Sequence, residues 1–319
     1  MKKIRKIVKI IQSLIGKLTW YKETSLSARV TGRIARLLIT SSGASRLYIN
    51  TILKPQCLKM ETPCKTKVIL SFDCDLKEDV EAFLKIVSIM KQYGIVGSFA
   101  CIGRYVEEYP DHHIALAEAG HEIMNHTHTH PNHKILNPNK YFNQLSDKEI
   151  LNEIRMAHEI IDSTLGVKCI GFRSPHFGSL HTKRVYGILR KLGYKYSSST
   201  IATRTPSLGL PFEVGSVMEI PLTPSLKQAF TCPETWAIMR APKKRYNTTN
   251  EYITELESIL ALGINRIPVL NFYFDPCDMV VIDGLAERVF NLLLTYKSKI
   301  DIMTYREFVH AYSTCLHHS

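Results

Sequence analysis

From Lys67 onward, short apolar runs rich in β-branched residues alternate with stretches whose apolar residues recur at helical spacing, and this alternation restricts the fold more than any other feature. "KVILSFDCD" reads as a buried strand that ends in acids. "KEDVEAFLKIVSIMKQYG" then places Val80, Phe83, Leu84, Val87 and Met90 on one helical face and stops at Gly94. "IVGSFAC", "HEIMNHT", "VKCIGFRSP", "YKYSSST", "VMEIPL", "RIPVLNFYF" and "KIDIMTY" read as further strands. Helices fall between them: after Pro110, over "SDKEILNEIRMAHEIIDSTLG", "KRVYGILRKLG" and "NEYITELESILALG", near 286–296, and at the end of the chain. Ser146 followed three residues later by Glu149 is a capping-box start. Strands alternating with helices imply an α/β fold with a mostly parallel sheet, and about seven such units in about 250 residues match a closed barrel better than an open sheet.

The basicity sits outside this region. The formal charge is +12, and residues 1–36 hold ten Lys/Arg against the single acid Glu23. "MKKIRKIVKIIQSLIGKL" spaces Ile4, Ile7, Val8, Ile11, Leu14, Ile15 and Leu18 helically among lysines and Arg5, a pattern that suits either an anionic membrane surface or packing on the protein's own body. Lys9 interrupts the apolar run, which argues against a secretory signal, and no eighteen consecutive residues are apolar, so no span of a bilayer is expected. Residues 1–65 are read as a basic helical extension ending in the linker "LKPQCLKMETPCKTK", and 66–319 as one α/β domain. Eight scattered cysteines without a C-x-x-C pair fit reduced thiols and a cytoplasmic setting, at or near the inner face of the membrane. The charge is not interleaved with aromatics on a recognisable module, so no nucleic-acid partner is expected.

The chemistry-bearing residues fall where strands end. Asp73 and Asp75 lie two apart on an extended segment and share a face, so their carboxylates repel unless a cation or proton joins them. A helix cap is the plainer alternative. In "NHTHTHP", His126 and His130 are four apart and converge on one ion if the chain takes a helical turn; if it stays extended, His126, His128 and His130 share a face. Two imidazoles and a carboxylate leave open positions for water and substrate, as a hydrolytic metal requires.

"SFDCD", "GHEIMNHTHTH", "GFRSPHFG" and "MEIPL", in that order, resemble the polysaccharide deacetylase family, the NodB-homology carbohydrate esterases, in its branch with F-D-x-D as first motif. The resemblance implies a distorted (β/α)7 barrel and a divalent metal ion, usually Zn2+, held by Asp75, His126 and His130. It makes Asp73 the general base, paired with Arg173 of an R-x-P motif whose Pro175 borders the substrate. The activity implied is removal of an N-acetyl or other N-acyl group from an amino sugar of a cell-surface polysaccharide or its lipid- or nucleotide-linked precursor. Hydrolysis of a linear or cyclic non-sugar amide, or glycan binding without cleavage, are the alternatives. Two positions depart from the pattern. Asp275 of "FYFDPCDM" stands where the family carries a late histidine that protonates the leaving amine, so the acid is either a buried Asp275 or His176. Ser197 stands where many relatives have an aspartate that anchors the arginine. In "TPSLKQAFTCPETWAIMRAPKKRYNTT", Trp236 is placed to stack on a sugar, and Arg240, Lys243, Lys244 and Arg245 to meet phosphate or carboxylate groups; a solvated basic loop is the plainer reading.

Overall fold

The computed structural model describes residues 42–316 except 63, 178–180, 206, 208, 242 and 243, so the expected membrane-contacting segment 1–20 and Lys243 lie outside the described residues. Nine strands form one sheet: β1 (Thr66–Cys74), β2 (Ser98–Cys101), β3 (Glu122–Asn125), β4 (Gly171–Phe172), β5 (Tyr196–Ser197), β6 (Phe212–Val214), β7 (Val217–Glu219), β8 (Val269–Phe274) and β9 (Ile300–Met303). Their order is β6-β7-β5-β4-β3-β2-β1-β8, with β9 alongside the start of β1. All pairs are parallel except the β6–β7 hairpin, which the sequence reading did not anticipate.

Seven parallel strands, β1 to β5 with β7 and β8, curl until the chain after β7 meets β8. Thr223 N–H donates to Asn271 O at 2.9 Å, and Asn271 N–H donates to Thr223 Oγ1 at 2.8 Å. The Asn271 side-chain amide donates to the carbonyls of Ile220 and Pro221 at 3.1 Å each. The barrel therefore closes on an asparagine and a threonine rather than a full ladder, which is the distortion expected.

β1 shows how sequence parity divides the two layers. Val68, Leu70, Phe72 and Cys74 pack outward among the helices. Ile69 packs inward with Ala100, Met124, Tyr196 and Tyr305, and Ser71 and Asp73 share its parity. Both faces are covered, which is why the run is apolar nearly throughout. The last helix, Tyr305–Leu316, contributes Tyr305 and Phe308 to the barrel interior.

The local differences have physical causes. The helix after β1 breaks at Ala82 into Lys77–Glu81 and Phe83–Tyr93, which turns Leu84 out to 57% exposure and leaves Val80, Phe83, Ile86 and Met90 as the buried face. Gly94 ends the second piece with φ +62, a left-handed cap that glycine adopts without steric cost. β4 and β5 shrink to two residues because Ser174 N–H bonds the Ser199 hydroxyl instead of a ladder carbonyl. The expected linker begins as helix: Lys54–Cys57 continues Ser42–Tyr48 through a wide turn at Ile49–Leu53, where Pro55 supplies no N–H to close an ordinary turn. Tyr48, Ile49, Leu53 and Cys57 are buried with Ala229 and Phe230. Among the described residues no helix is long and apolar enough to cross a membrane.

Candidate functional site

At the C-terminal end of the barrel, Asp75 follows β1 and His126 follows β3. His126 Nε2 lies 3.0 Å and His130 Nε2 3.2 Å from Asp75 Oδ1, and one donor atom from each of the three residues lies within 4.8 Å of the others. The imidazoles do not meet through a helical turn or an extended segment, the two geometries considered from sequence. Thr127 and His130 instead adopt left-handed backbone, φ +68 and +51. His128 takes no part in the cluster; its Nδ1 lies toward Gly103, on the outer side of the turn.

The donor set fits a cation. His126 Nδ1 is 2.9 Å from the Arg173 carbonyl, which only accepts, so Nδ1 carries the proton and Nε2 turns a lone pair toward the Asp75 carboxylate. Two lone pairs at that separation repel unless a cation lies between them or the ring takes a second proton. His130 is buried, and neither of its ring nitrogens has a hydrogen-bond partner among the described residues. Orphaned buried nitrogens of this kind are costly unless a bound partner takes them up.

Asp73 lies beside this group, with Oδ2 4.0 Å from His126 Nε2. Arg173 Nη1–H donates to Asp73 Oδ1 at 2.5 Å. Burial pushes the Asp73 carboxyl above its ordinary pKa, and Arg173 opposes the push. The other guanidinium hydrogens are also placed: Nε–H on Ser198 O, and Nη2–H on Ser71 Oγ, Ser198 Oγ and Tyr305 OH. The anchor expected to be missing at Ser197 is thus supplied by Ser71, Ser198 and Tyr305, while Ser197 faces away and bonds Ser199.

Asp275, at the end of β8, is 3% exposed and holds four donors: Thr235 hydroxyl and Trp236 N–H on Oδ2, Tyr273 hydroxyl and Arg240 Nη2 on Oδ1. Burial raises its pKa to about 7 against the pull of Arg240, with the charges of Asp278, Asp75 and Asp73 adding to the rise. Arg240 reaches Asp278 as well, through Nε at 2.9 Å. Its guanidinium is engaged inward by two carboxylates rather than offered to a ligand. Arg245 is likewise paired with Glu234, which leaves Lys244 exposed. Trp236 is 38% exposed on the short helix Trp236–Met239. Pro175 is buried behind Arg173, and His176, with φ +47, stands at the mouth with its ring 4.8 Å from that of His130. Desolvation and then His130 hold the His176 pKa down to about 4.

Three contributors escaped the sequence reading because nothing near them in the chain marks them. Tyr305 enters from the last helix, Ser198 follows a two-residue strand, and Glu153 reaches the histidine turn from the helix Asp147–Leu165. A separate apolar cavity lined by Leu53, Leu210, Ile259 and Leu270 includes none of the site residues.

A sequence model of the family described as polysaccharide deacetylase matches residues 60–197. The chain is 36% identical over 91 residues to a peptidoglycan-N-acetylglucosamine deacetylase of Bacillus cereus, a match covering 28% of this chain and 32% of that protein. The chain thus spans about a third of that curated relative. Among solved structures, a candidate polysaccharide deacetylase from Mycobacterium smegmatis superposes with TM-score 0.62 at 14% identity, covering 78% of this chain and 91% of the other. The Puue allantoinase superposes with TM-score 0.60 at 12% identity, over 78% and 90%. At such identities the two structures establish the fold.

Proposed function

Because the chain is a member of the polysaccharide deacetylase family, we propose that it is a metal-dependent hydrolase removing an N-acetyl or other N-acyl group from an amino sugar of a cell-surface polysaccharide or its lipid- or nucleotide-linked precursor. The observation that carries this reading is the placement of Asp73, held by Arg173, beside the convergent Asp75, His126 and His130.

Asp75, His126 and His130 would hold a divalent ion, zinc by the nature of the donors. Bound there, it would supply Lewis acidity and lower the pKa of water. Asp73 acts as general base: Arg173 occupies Oδ1, which leaves Oδ2 as the oxygen that takes the proton. Arg173 fixes the direction of that carboxylate and favours its ionised form. Asp275 is assigned the proton for the leaving amine. At about 7 its pKa keeps a protonated fraction at neutral pH, whereas His176, at about 4, is neutral there. Protonation of Asp275 requires one of its donors to yield, and the Tyr273 hydroxyl is able to turn from donor to acceptor. Trp236, partly exposed next to Asp275, is the surface on which a sugar ring would stack.

Acetate release from N-acetylglucosamine oligomers and from lipid-linked acetylamino sugars tests the activity, with Asp73→Asn as the inactive control. Opening of a cyclic ureide with no acetate from any sugar would move the substrate to non-sugar amides, and metal-independent glycan binding without cleavage would leave a binding protein. We further propose that residues 1–20 bring the protein to the cytoplasmic membrane face, on the support of their basic amphipathic pattern. Flotation with anionic vesicles is expected for the full chain and lost without those residues; equal flotation overturns it.

A further inference from the structure

We infer that Glu153 is a positioning residue that holds the histidine turn in its ligating shape, a proposal that rests on the metal reading above. The turn is strained on its own terms: Thr127 and His130 are non-glycine residues in left-handed backbone, and a β-branched threonine there is uncommon enough to need support. Every backbone N–H of the turn has an acceptor. Thr127 N–H bonds Asn125 Oδ1 at 2.8 Å and His130 N–H bonds Thr127 Oγ1 at 3.1 Å, both local partners. The two in between, His128 N–H at 3.1 Å and Thr129 N–H at 2.8 Å, both go to Glu153 Oε2. Glu153 Oε1 accepts the Thr129 hydroxyl at 2.7 Å, and that hydroxyl accepts from Asn137 Nδ2 at 2.8 Å.

The carboxylate is carried by a rigid support. Its helix buries Ile150, Ile154, Ala157 and Ile161, and Ala157 packs so closely on Gly103 that a Cβ at Gly103 would lie 2.8 Å from the Ala157 Cα. Gly103 and Arg104 in turn donate their N–H groups to the carbonyls of Thr127 and His128 at 2.9 and 3.0 Å. The turn is thus gripped from both sides, its carbonyls by one helix start and its N–H groups by Glu153. Without Glu153, two adjacent N–H groups lose their acceptor, Thr127 and His130 relax toward ordinary backbone, and the His130 imidazole leaves Asp75.

The test uses the full chain, stripped of metal and titrated with Co2+, followed by its visible absorption, and with Zn2+ against a chromophoric chelator. Glu153→Gln keeps the length but has one acceptor atom where the carboxylate has two. It is expected to weaken Co2+ binding about tenfold or more and to alter the Co2+ spectrum, while the metal-free thermal midpoint stays within about 4 °C of the parent. Thr129→Val, which removes only the hydroxyl, is expected to weaken binding about fivefold, and decides alone if Glu153→Gln does not fold. Ile161→Ala, on the same helix but two turns beyond Glu153, is expected to lower the midpoint without changing Co2+ affinity. Equal affinity and spectrum in the parent, Glu153→Gln and Thr129→Val overturn the role of Glu153 alone. An equal loss of affinity in Ile161→Ala also overturns it, as general destabilisation. A parent that binds neither ion overturns the metal reading and this inference with it.

Discussion

Asp73 and Arg173 form an ion pair at 2.5 Å with both side chains out of solvent, a hundred residues apart in the chain. Neither tolerates loss of the other. Arg173→Met leaves a carboxylate buried without its cation and is expected to cost about 3–5 kcal/mol in urea denaturation. Asp73→Asn in the Arg173→Met background is expected to recover part of that loss, because no charge then remains to be desolvated. A cost below about 1 kcal/mol for Arg173→Met would show that Asp73, whose pKa burial already raises, takes up a proton instead of staying charged once the guanidinium is gone.

The metal set makes a residue-by-residue prediction. Asp75→Ala, His126→Ala and His130→Ala are each expected to abolish stoichiometric zinc after dialysis against a weak chelator, read by elemental analysis, because each removes one of three converging ligands. His128→Ala is expected to retain the metal, since its ring lies on the Gly103 side of the turn. Retention of zinc by His130→Ala would place the ion elsewhere.

The start of the helix Asp147–Leu165 offers a test of stability alone. The Ser146 hydroxyl accepts the Glu149 N–H while the Glu149 carboxylate accepts the Ser146 N–H. Ser146→Ala is expected to cost about 0.5–2 kcal/mol. Metal content and acetate release should not change; a fall in either would mean that the helix start itself governs the Glu153 end.

What was legible in the sequence is what local chemistry writes there. The apolar run of β1, the Ser146 box and the stop at Gly94 follow from residue type and spacing, and the structure keeps all three. Two carboxylates on one strand face and imidazoles four apart draw attention to Asp75, His126 and His130, but spacing alone leaves a helix cap and an extended His126, His128 and His130 open, and the family resemblance is what selects the three. The shape that joins them was not legible. Threonine and histidine carry no sign of left-handed backbone, and the acceptor that sustains it is 24 residues away in Glu153. Arg240 read as a free cation because its partners Asp275 and Asp278 lie on the far side of an intervening helix and strand. Ser197 read as a lost anchor because three replacements for it come from separate elements.

Asp275 carries the prediction that separates a catalytic acid from a clasp for the Trp236 loop. Its folded pKa, about 7, stands above the ordinary aspartate value of about 3.9 expected in the unfolded chain. Folding therefore favours its protonated form: its contribution to stability is complete below about pH 4 and is lost as pH rises through about 7. Relative to Asp275→Asn, whose side chain does not titrate, the parent should lose thermal midpoint steadily between about pH 4 and pH 7; Arg240, left in the variant with Asp278 alone, adds an offset that leaves this slope unchanged. If Asp275 supplies the proton as proposed, the same protonation governs the rate. Acetate release should fall on the alkaline side of about pH 7 in the parent, and Asp275→Asn should lose about 10²–10⁴ of the rate along with that limb. Arg240 holds the pKa down, so Arg240→Gln should carry the limb to higher pH. If Asp275→Asn keeps both the parent rate and the alkaline limb while only the stability slope changes, Asp275 is the clasp, and the amine takes its proton from elsewhere.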